Sequence, residues 1–598
     1  MNNKDVHKLY EGKIADLIFK ENKLKKESTF YFYSKLLSFS AIVFFLYLTY
    51  KTLSTLNISA FVLFMVIYIA SRIKDNTCNR KINILRSIVS VCKKELCYLN
   101  GDFTPFNTGE KYINIQHEFS YDLDLFGPSS LFNRINRTIT VDGSDKLADK
   151  LTNLCQDKEE IKSNQSSVEE LNKLFDWRIK FLANKPIETN YDFHSEHILK
   201  DKKNNRLFDS ILPYISIALT TGFLLSGLFG ILSFYYFLGM FVLQLLISGQ
   251  VSKTSEKINT NTEKLNKKYL GYLLILKDIN NAEFKSDVLS KLKNELFGKE
   301  SNCLKSFKEL SQILNLYEHR TNAITYVILN GTVMYDILLI RMFSKWQKKY
   351  IHFTKKWINC ITEIDAMVSL GTYAFNNPQN TLPKVLDDNC ENVIQAVNVY
   401  HPFLSHKNAV ANNFILKKSN IAIITGANMA GKSTFLRTIG ITYILAGTGV
   451  PVCAESFKFS IVSLFSSMRT TDNLSKDISY FNAELIRLKQ LIEHIKSHSF
   501  TLIILDEILK GTNSKDKLKG SVMFLNEISK YNISAVIATH DLELAKLGEK
   551  DSSVFLNYCF EIELSQKIKY SYKIQKGVAQ NLNASYLLAN ILKDLYNS

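Results

Sequence analysis

Hydrophobic positions divide this chain into three regimes. Leu36 to Ala70 is almost unbroken apolar sequence, interrupted by Lys51, and Ile211 to Gln250 carries no charged residue at all. From about residue 119 to Asn377 the rest of the sequence places apolar residues at helical spacing, as in Lys158–Leu182, Thr254–Asn280 and Asp287–Leu316. Beyond the breaker cluster Asn376–Asn380, short runs rich in Ile, Val and Leu alternate with helical stretches. Ile421–Thr425, Leu502–Leu505 and Ala535–Thr539 fit strands of a sheet buried on both faces.

The two long apolar stretches predict helical hairpins that leave water. A helix needs about 20 apolar residues to cross a bilayer, so Ile211–Gln250 is two crossings, with Gly227 and Gly230 at the turn. Leu36–Tyr50 and Leu56–Ala70 are shorter, but Tyr31, Phe32 and Tyr33 extend the first at an interfacial position. Lys20, Lys23, Lys25 and Lys26 precede the first pair, and Arg72, Lys74, Arg80 and Lys81 follow it. Lys200, Lys202, Lys203 and Arg206 precede the second, and Lys253, Lys257, Lys264, Lys267 and Lys268 follow it. By the positive-inside rule this charge pattern predicts a multi-pass protein of the cytoplasmic membrane with its N-terminus and soluble parts in the cytoplasm. The polar opening, Met1–Lys26, lacks a cleavable signal pattern. Ala323–Ile340 is also apolar, but Asp336 and Arg341 place it as a buried helix and not a fifth span.

The expected organisation is therefore multidomain. It comprises an N-terminal amphipathic segment (1–30), a first transmembrane hairpin (31–75) and a linker helix (76–118). An all-α core or lever domain (119–395) follows, with the second hairpin at 210–250, and then an α/β ATPase domain (396–598). A length of 598 residues allows for several domains. The net charge of +17 admits a nucleic-acid surface, although juxtamembrane lysines contribute many of those charges. Nine cysteines without paired C-x-x-C spacing indicate reduced thiols and no zinc site.

The candidate chemistry lies in the last third. Gly426, Ala427, Asn428, Met429, Ala430, Gly431, Lys432 and Ser433 fit G-x-x-x-x-G-K-[ST] between a strand and a helix, the context a phosphate-binding loop requires. Loop N–H groups would cradle phosphates, Lys432 would supply charge to the β/γ-phosphates, and the Ser433 hydroxyl could ligate Mg²⁺. Asp506, ending an apolar strand about 75 residues later, is placed for Mg²⁺, and Glu507 for orienting or deprotonating water. His540, ending another strand, could sense the γ-phosphate.

Three segments carry a family resemblance: Thr425-Gly-Ala-Asn-Met-Ala-Gly-Lys-Ser-Thr434, Asp506-Glu-Ile-Leu-Lys-Gly-Thr512 and Ala538-Thr-His540. They closely resemble the MutS family of DNA mismatch repair ATPases, which reads T-G-P-N-M-G-G-K-S-T, D-E-I-G-R-G-T and A-T-H. Ser479-Tyr-Phe-Asn-Ala-Glu-Leu485 resembles the family segment whose serine reaches the partner subunit's nucleotide. Tyr400-His-Pro402 and Asn583-Ala-Ser-Tyr586 resemble the opening and closing of its ATPase domain. Asp124–Thr138 and Ile361–Ala374 resemble the two ends of its helical core. The resemblance implies an ATP site built from Phe414 (adenine stacking), residues 426 to 434 including Thr434, and Ser479 acting in trans. It further implies Lys432, Glu507 and His540 as catalytic residues, Ser433 and Asp506 as Mg²⁺ ligands, a homodimer through the ATPase domains, and DNA as partner.

Departures qualify the implied function. Ala427 and Ala430 replace the family's Pro and Gly, and Leu509–Lys510 replace Gly-Arg. The mismatch-reading and connector domains have no room ahead of residue 119, and Phe19-Lys-Glu21 sits on a lysine-rich helix unsuited to a mismatch wedge. The second hairpin falls where the family carries its DNA-clamping insertion. Three functions remain open: a membrane-tethered MutS-like ATPase acting on DNA, a DNA-independent mechanochemical ATPase that moves or organises membrane segments, and a scaffold that binds ATP with little turnover, against which the intact Glu507 argues.

Overall fold

The computed structural model describes residues 2–52, 54–184, 211–298, 302–318, 322–404, 409–469, 480–511, 513–563 and 569–580. The chain divides into two compact units. One comprises residues 1–137, 145–175 and 366–598, and the other residues 138–144 and 176–365. The expected core domain of 119–395 is thus shared between them. Its two sequence ends pack on each other, since a Cβ on Gly371 would lie 2.6 Å from Leu171, and the first of them meets the ATPase domain, since a Cβ on Gly440 would lie 2.8 Å from Leu123.

The helices, in chain order, begin with α1 (Asn3–Lys51) and α2 (Thr55–Leu99). Then come α3 (Leu131–Ile135), α4 (Val141–Thr152), α5 (Lys158–Lys173), α6 (Phe175–Leu182), α7 (Leu212–Leu228) and α8 (Tyr235–Asn281). The helical part closes with α9 (Asp287–Phe297), α10 (Cys303–Glu318), α11 (Ala323–Val333) and α12 (Tyr335–Asn376).

In the first unit, α1 and α2 form one long antiparallel hairpin. The expected breaks near residues 30 and 75 are absent, since no proline occurs before Pro105 and charged residues pair across the two helices. Glu21 binds Arg86 at 2.8 Å, Asp75 binds Lys35 and accepts from Ser28 Oγ at 2.6 Å, and Ser34 meets Ser71 at 2.8 Å. Beyond these pairs the hairpin turns apolar and its outer face is exposed, including Leu37, Phe44, Leu56 and Leu63. Both helices are long and apolar enough to cross a membrane. At the other end, Tyr10 packs edge-on against Phe175 and Phe375, and its hydroxyl donates to Asn376 Oδ1 at 3.0 Å. Asn376 Nδ2 donates to Glu95 at 2.7 Å, and Glu95 forms a buried pair with Arg137.

The second unit contains α7 and the first part of α8 as a shorter apolar hairpin, turning through Gly230 at φ 72°. Its interior is polar at one level, where Gln244 Nε2 donates to Ser216 Oγ at 2.7 Å and binds Thr220 Oγ1. The sequence places Ala323–Ile340 as one buried helix; the structure corrects this. Met334 is left-handed at φ 50° and breaks the stretch into α11 and the start of α12, with Ile324, Val327 and Ile328 exposed. Hydrophobicity alone could not distinguish a helix covered by protein from one covered by something else.

The C-terminal α/β part has strands β1 (Lys384–Val385), β2 (Asn392–Val399), β3 (Asn412–Lys417), β4 (Ile421–Gly426) and β5 (Ser456–Phe459). They are followed by β6 (Ser463–Ser467), β7 (Thr501–Asp506), β8 (Ile533–Thr539), β9 (Phe555–Glu563) and β10 (Lys569–Lys576). Helices α13 (Lys432–Gly447), α14 (Tyr480–Ser497), α15 (Ser514–Ile528) and α16 (Lys546–Lys550) complete it. A six-stranded sheet runs β10-β9-β4-β8-β7-β6, with all neighbours parallel except β10 and β9. A smaller sheet runs β1-β5-β2-β3. Every residue of β4 and β8 is buried, as central strands covered on both faces require. The C-terminal ends of β4, β7 and β8 therefore open side by side, where ligands bind in parallel sheets.

Candidate functional site

The site begins where β4 stops. Gly426 has φ 151°, and a Cβ there would meet the Phe560 carbonyl oxygen at 2.8 Å, so only glycine lets the chain turn away from β9. The loop re-enters a helix through Gly431 at φ 105°, placing free N–H groups of α13 at its mouth. Lys432 Nζ is folded into its own loop, donating to the carbonyls of Gly426 at 2.7 Å and Ala427 at 2.9 Å. Burial lowers its pKa, and the carboxylates of Glu507 and Asp506 partly counter this.

A cleft of about 480 Å³ gathers Asn428, Met429, Gly431, Lys432, Ser433, Thr434, Asp506, Glu507, Lys510 and Tyr572. Gly426, Ala427 and Ala430 shape the loop from behind, the two alanines being almost wholly buried. Glu507 follows β7 with a left-handed backbone, φ 63°, which turns its side chain to the cleft. One carboxylate oxygen binds His540 Nδ1, and the other lies 3.5 Å from Lys517 Nζ. Burial alone would raise the Glu507 pKa, but the His540 hydrogen bond and the charges of His540, Lys517 and Lys510 outweigh it and hold the carboxyl below its usual range. A base kept ionised this way can accept a proton from water.

Ser433 and Asp506 present hard oxygen donors to the same cleft. That set fits Mg²⁺, which takes one or two protein oxygens and completes its shell from phosphate and water. Among the described residues no cluster of three or more His, Cys, Asp and Glu exists that would hold a metal by protein ligands alone.

A second cleft of about 340 Å³ adjoins the first, sharing Gly431, Thr434 and Tyr572, and is walled by Val399, His401, Leu404, Val410, Phe435 and Phe560. Its apolar walls suit a flat heterocycle next to a phosphate loop. His401 Nδ1 accepts from Phe403 N at 3.1 Å, and burial with Arg437 and Arg134 nearby lowers its pKa to about 4, so the ring is neutral near pH 7.

Phe414, implied above as the adenine-stacking ring, lies on the buried face of β3 and lines neither cleft. Its ring is buried against Phe435 and Tyr558 at 5.3 and 5.5 Å. Tyr572, on β10, reaches the junction of the clefts instead. A Cβ on Gly431 would lie 3.0 Å from its ring. Ser479, Thr512 and residues 583–586 lie outside the described residues. Directly before 470–479, Asp122 accepts from the backbone N–H groups of Met468 and Arg469 at 3.1 and 2.8 Å and pairs with Arg487, anchoring that edge.

Residues 422–589 match the family model described as MutS domain V. Over this domain the chain is similar to MutS-family proteins. It is similar to the DNA mismatch repair protein MutS of Acetivibrio thermocellus, 32% identical over 39% of this chain and 27% of that protein. It is also similar to endonuclease MutS2 of Streptococcus uberis, 29% identical over 36% of this chain and 26% of the relative. The probable DNA mismatch repair protein Msh6 of Drosophila melanogaster is 27% identical over 36% of the chain and 18% of its own length. The chain thus spans about a quarter or less of the length of these MutS relatives.

Proposed function

We propose that this MutS-like chain binds and hydrolyses ATP with Mg²⁺ as a dimer, binds DNA, and is tethered to the cytoplasmic membrane through its apolar helices. The convergence of Lys432, Ser433, Asp506 and Glu507 on one cleft at the strand ends carries the ATPase part. The loop and the N-terminus of α13 hold the phosphates, and Lys432 exchanges its two loop carbonyls for phosphate oxygens. The base lies in the adjoining cleft against Tyr572. Glu507, oriented by His540, takes a proton from water as its oxygen attacks the γ-phosphorus. The bond to the β–γ bridging oxygen breaks, and ADP and phosphate leave. Mg²⁺ held by Ser433 and Asp506 would neutralise charge on the phosphates. Ser479 of the partner chain completes the site in the dimer.

Relatives named as DNA mismatch repair proteins support DNA as the second ligand. A salt titration of duplex, mismatched and branched DNA against the detergent-purified protein tests it. Binding should weaken linearly in log salt and DNA should change the ATPase rate. Absence of both at low salt moves the protein to a DNA-independent membrane ATPase. The exposed apolar rows on α1, α2, α7 and α8 favour that second reading, and they support membrane attachment in either case, being far larger than a water-facing surface tolerates.

A further inference from the structure

The apolar surface of the second hairpin does not end with its two helices. Helix α11 packs against both α7 and α8. The contact is close: a Cβ on Gly331 would overlap the Phe241 ring at 2.3 Å. Just beyond, Met334, Ile337 and Ile340 pack with Ile247 of α8, and the Arg341 guanidinium lies 5.0 Å from the Tyr214 ring of α7. These contacts fix α11 as a third member of the hairpin.

The first two turns of α11 are nevertheless bare. Ile324 is 72% exposed, Val327 43% and Ile328 52%. No charged residue occurs from Asn322 to Tyr335. The exposed side continues the lipid-like outer face of the hairpin, where Leu219, Leu225, Leu238, Val242 and Leu246 are exposed too. With 11 residues, α11 is about 16 Å long, roughly half a hydrocarbon core. It then bends by 81° into α12. That break is enclosed by protein: Met334 and Asn330 are buried, and Asn330 Oδ1 accepts from Asp336 N at 3.0 Å. Irregular backbone at membrane depth is tolerated only when sheltered in this way. The next turns of α12 expose Lys345, Lys348 and Lys349, suited to anionic headgroups.

We infer that α11 is a further membrane-embedded element, a half-span whose Ile324, Val327 and Ile328 contact acyl chains beside the second hairpin. This rests on the membrane reading above. A second copy of the chain is the weaker occupant, because two bare helical turns offer far less than the roughly 800 Å² per partner of a stable interface.

The test uses the full chain in inverted membrane vesicles, whose cytoplasmic face is outward. Ile324→Cys, Ile328→Cys, the hairpin controls Leu225→Cys and Leu243→Cys, and the polar control Lys345→Cys are treated with a membrane-impermeant polyethylene-glycol maleimide. Gel shifts are read against the parent protein, before and after SDS. Positions 324 and 328 should lose labelling in vesicles and regain it in SDS, while 345 labels in both. Labelling of 324 and 328 at the rate of 345, with 225 and 243 protected, overturns the inference alone. Labelling of 225 and 243 as well overturns the membrane reading with it. An inter-chain disulfide at 328 on mild oxidation assigns the surface to a second copy and also overturns the inference.

Discussion

Lys517 Nζ lies 3.5 Å from the Oε2 of Glu507, and both side chains are largely buried. Lys517 sits in the first turn of α15, where the helix dipole disfavours a cation, so its carboxylate partner accounts for its presence there. The pair helps keep Glu507 ionised. A depressed carboxyl pKa adds stability that is present above the unfolded value and lost as pH falls through the folded one. Lys517→Met should weaken that depression and move the acid limb of kcat to higher pH, with KM for ATP little changed. Stability should fall by about 1–2 kcal/mol. Lys517→Arg should restore the limb. A pH–rate profile checks this; an unmoved limb would leave Lys517 a packing residue.

Tyr572 stands at the junction of the two clefts, beside Gly431. Tyr572→Ala should weaken ATP binding by about tenfold, or 1.4 kcal/mol, with little loss of kcat. Phe414→Leu should leave affinity unchanged, because that ring is inside the core. Titration with a fluorescent ATP analogue separates the two.

His401 is held neutral, its pKa lowered to about 4 by burial and by Arg437 and Arg134. The unfolded chain therefore binds more protons than the folded one between about 4 and about 6.5, and stability rises with pH across that window. His401→Gln should flatten this rise and leave the slope of stability against pH unaltered above pH 7. Thermal unfolding between pH 5 and 8 reads it directly.

Much of the site was legible because its chemistry is local in sequence. The glycine spacing of 426–431, and Asp506 and Glu507 at the end of an apolar run, each reveal strand, turn and ligand within a few residues. What escaped depends on register and distant pairing. Phe414 and Tyr572 differ in what their rings meet: Phe414 packs against Phe435 and Tyr558, whereas Tyr572 reaches both clefts. Lys517 looks like one more surface lysine in a helix that also carries Lys515 and Lys519. The long continuity of α1 was obscured by its charges, which read as a separate amphipathic helix until Glu21 and Lys35 found Arg86 and Asp75 across the hairpin. The exposure of α11 was hidden for the opposite reason, since an apolar sequence looks the same facing protein or lipid.

The central claim is that Glu507 activates the water that cleaves ATP in the cleft of Lys432 and Ser433. Single-turnover hydrolysis of radiolabelled ATP by Glu507→Gln, with filter binding on the same sample, tests it most directly. The account predicts retained ATP binding, turnover reduced by a factor of about 10²–10⁴, and accumulation of an ATP-bound dimer. Turnover equal to the unaltered protein's would contradict it.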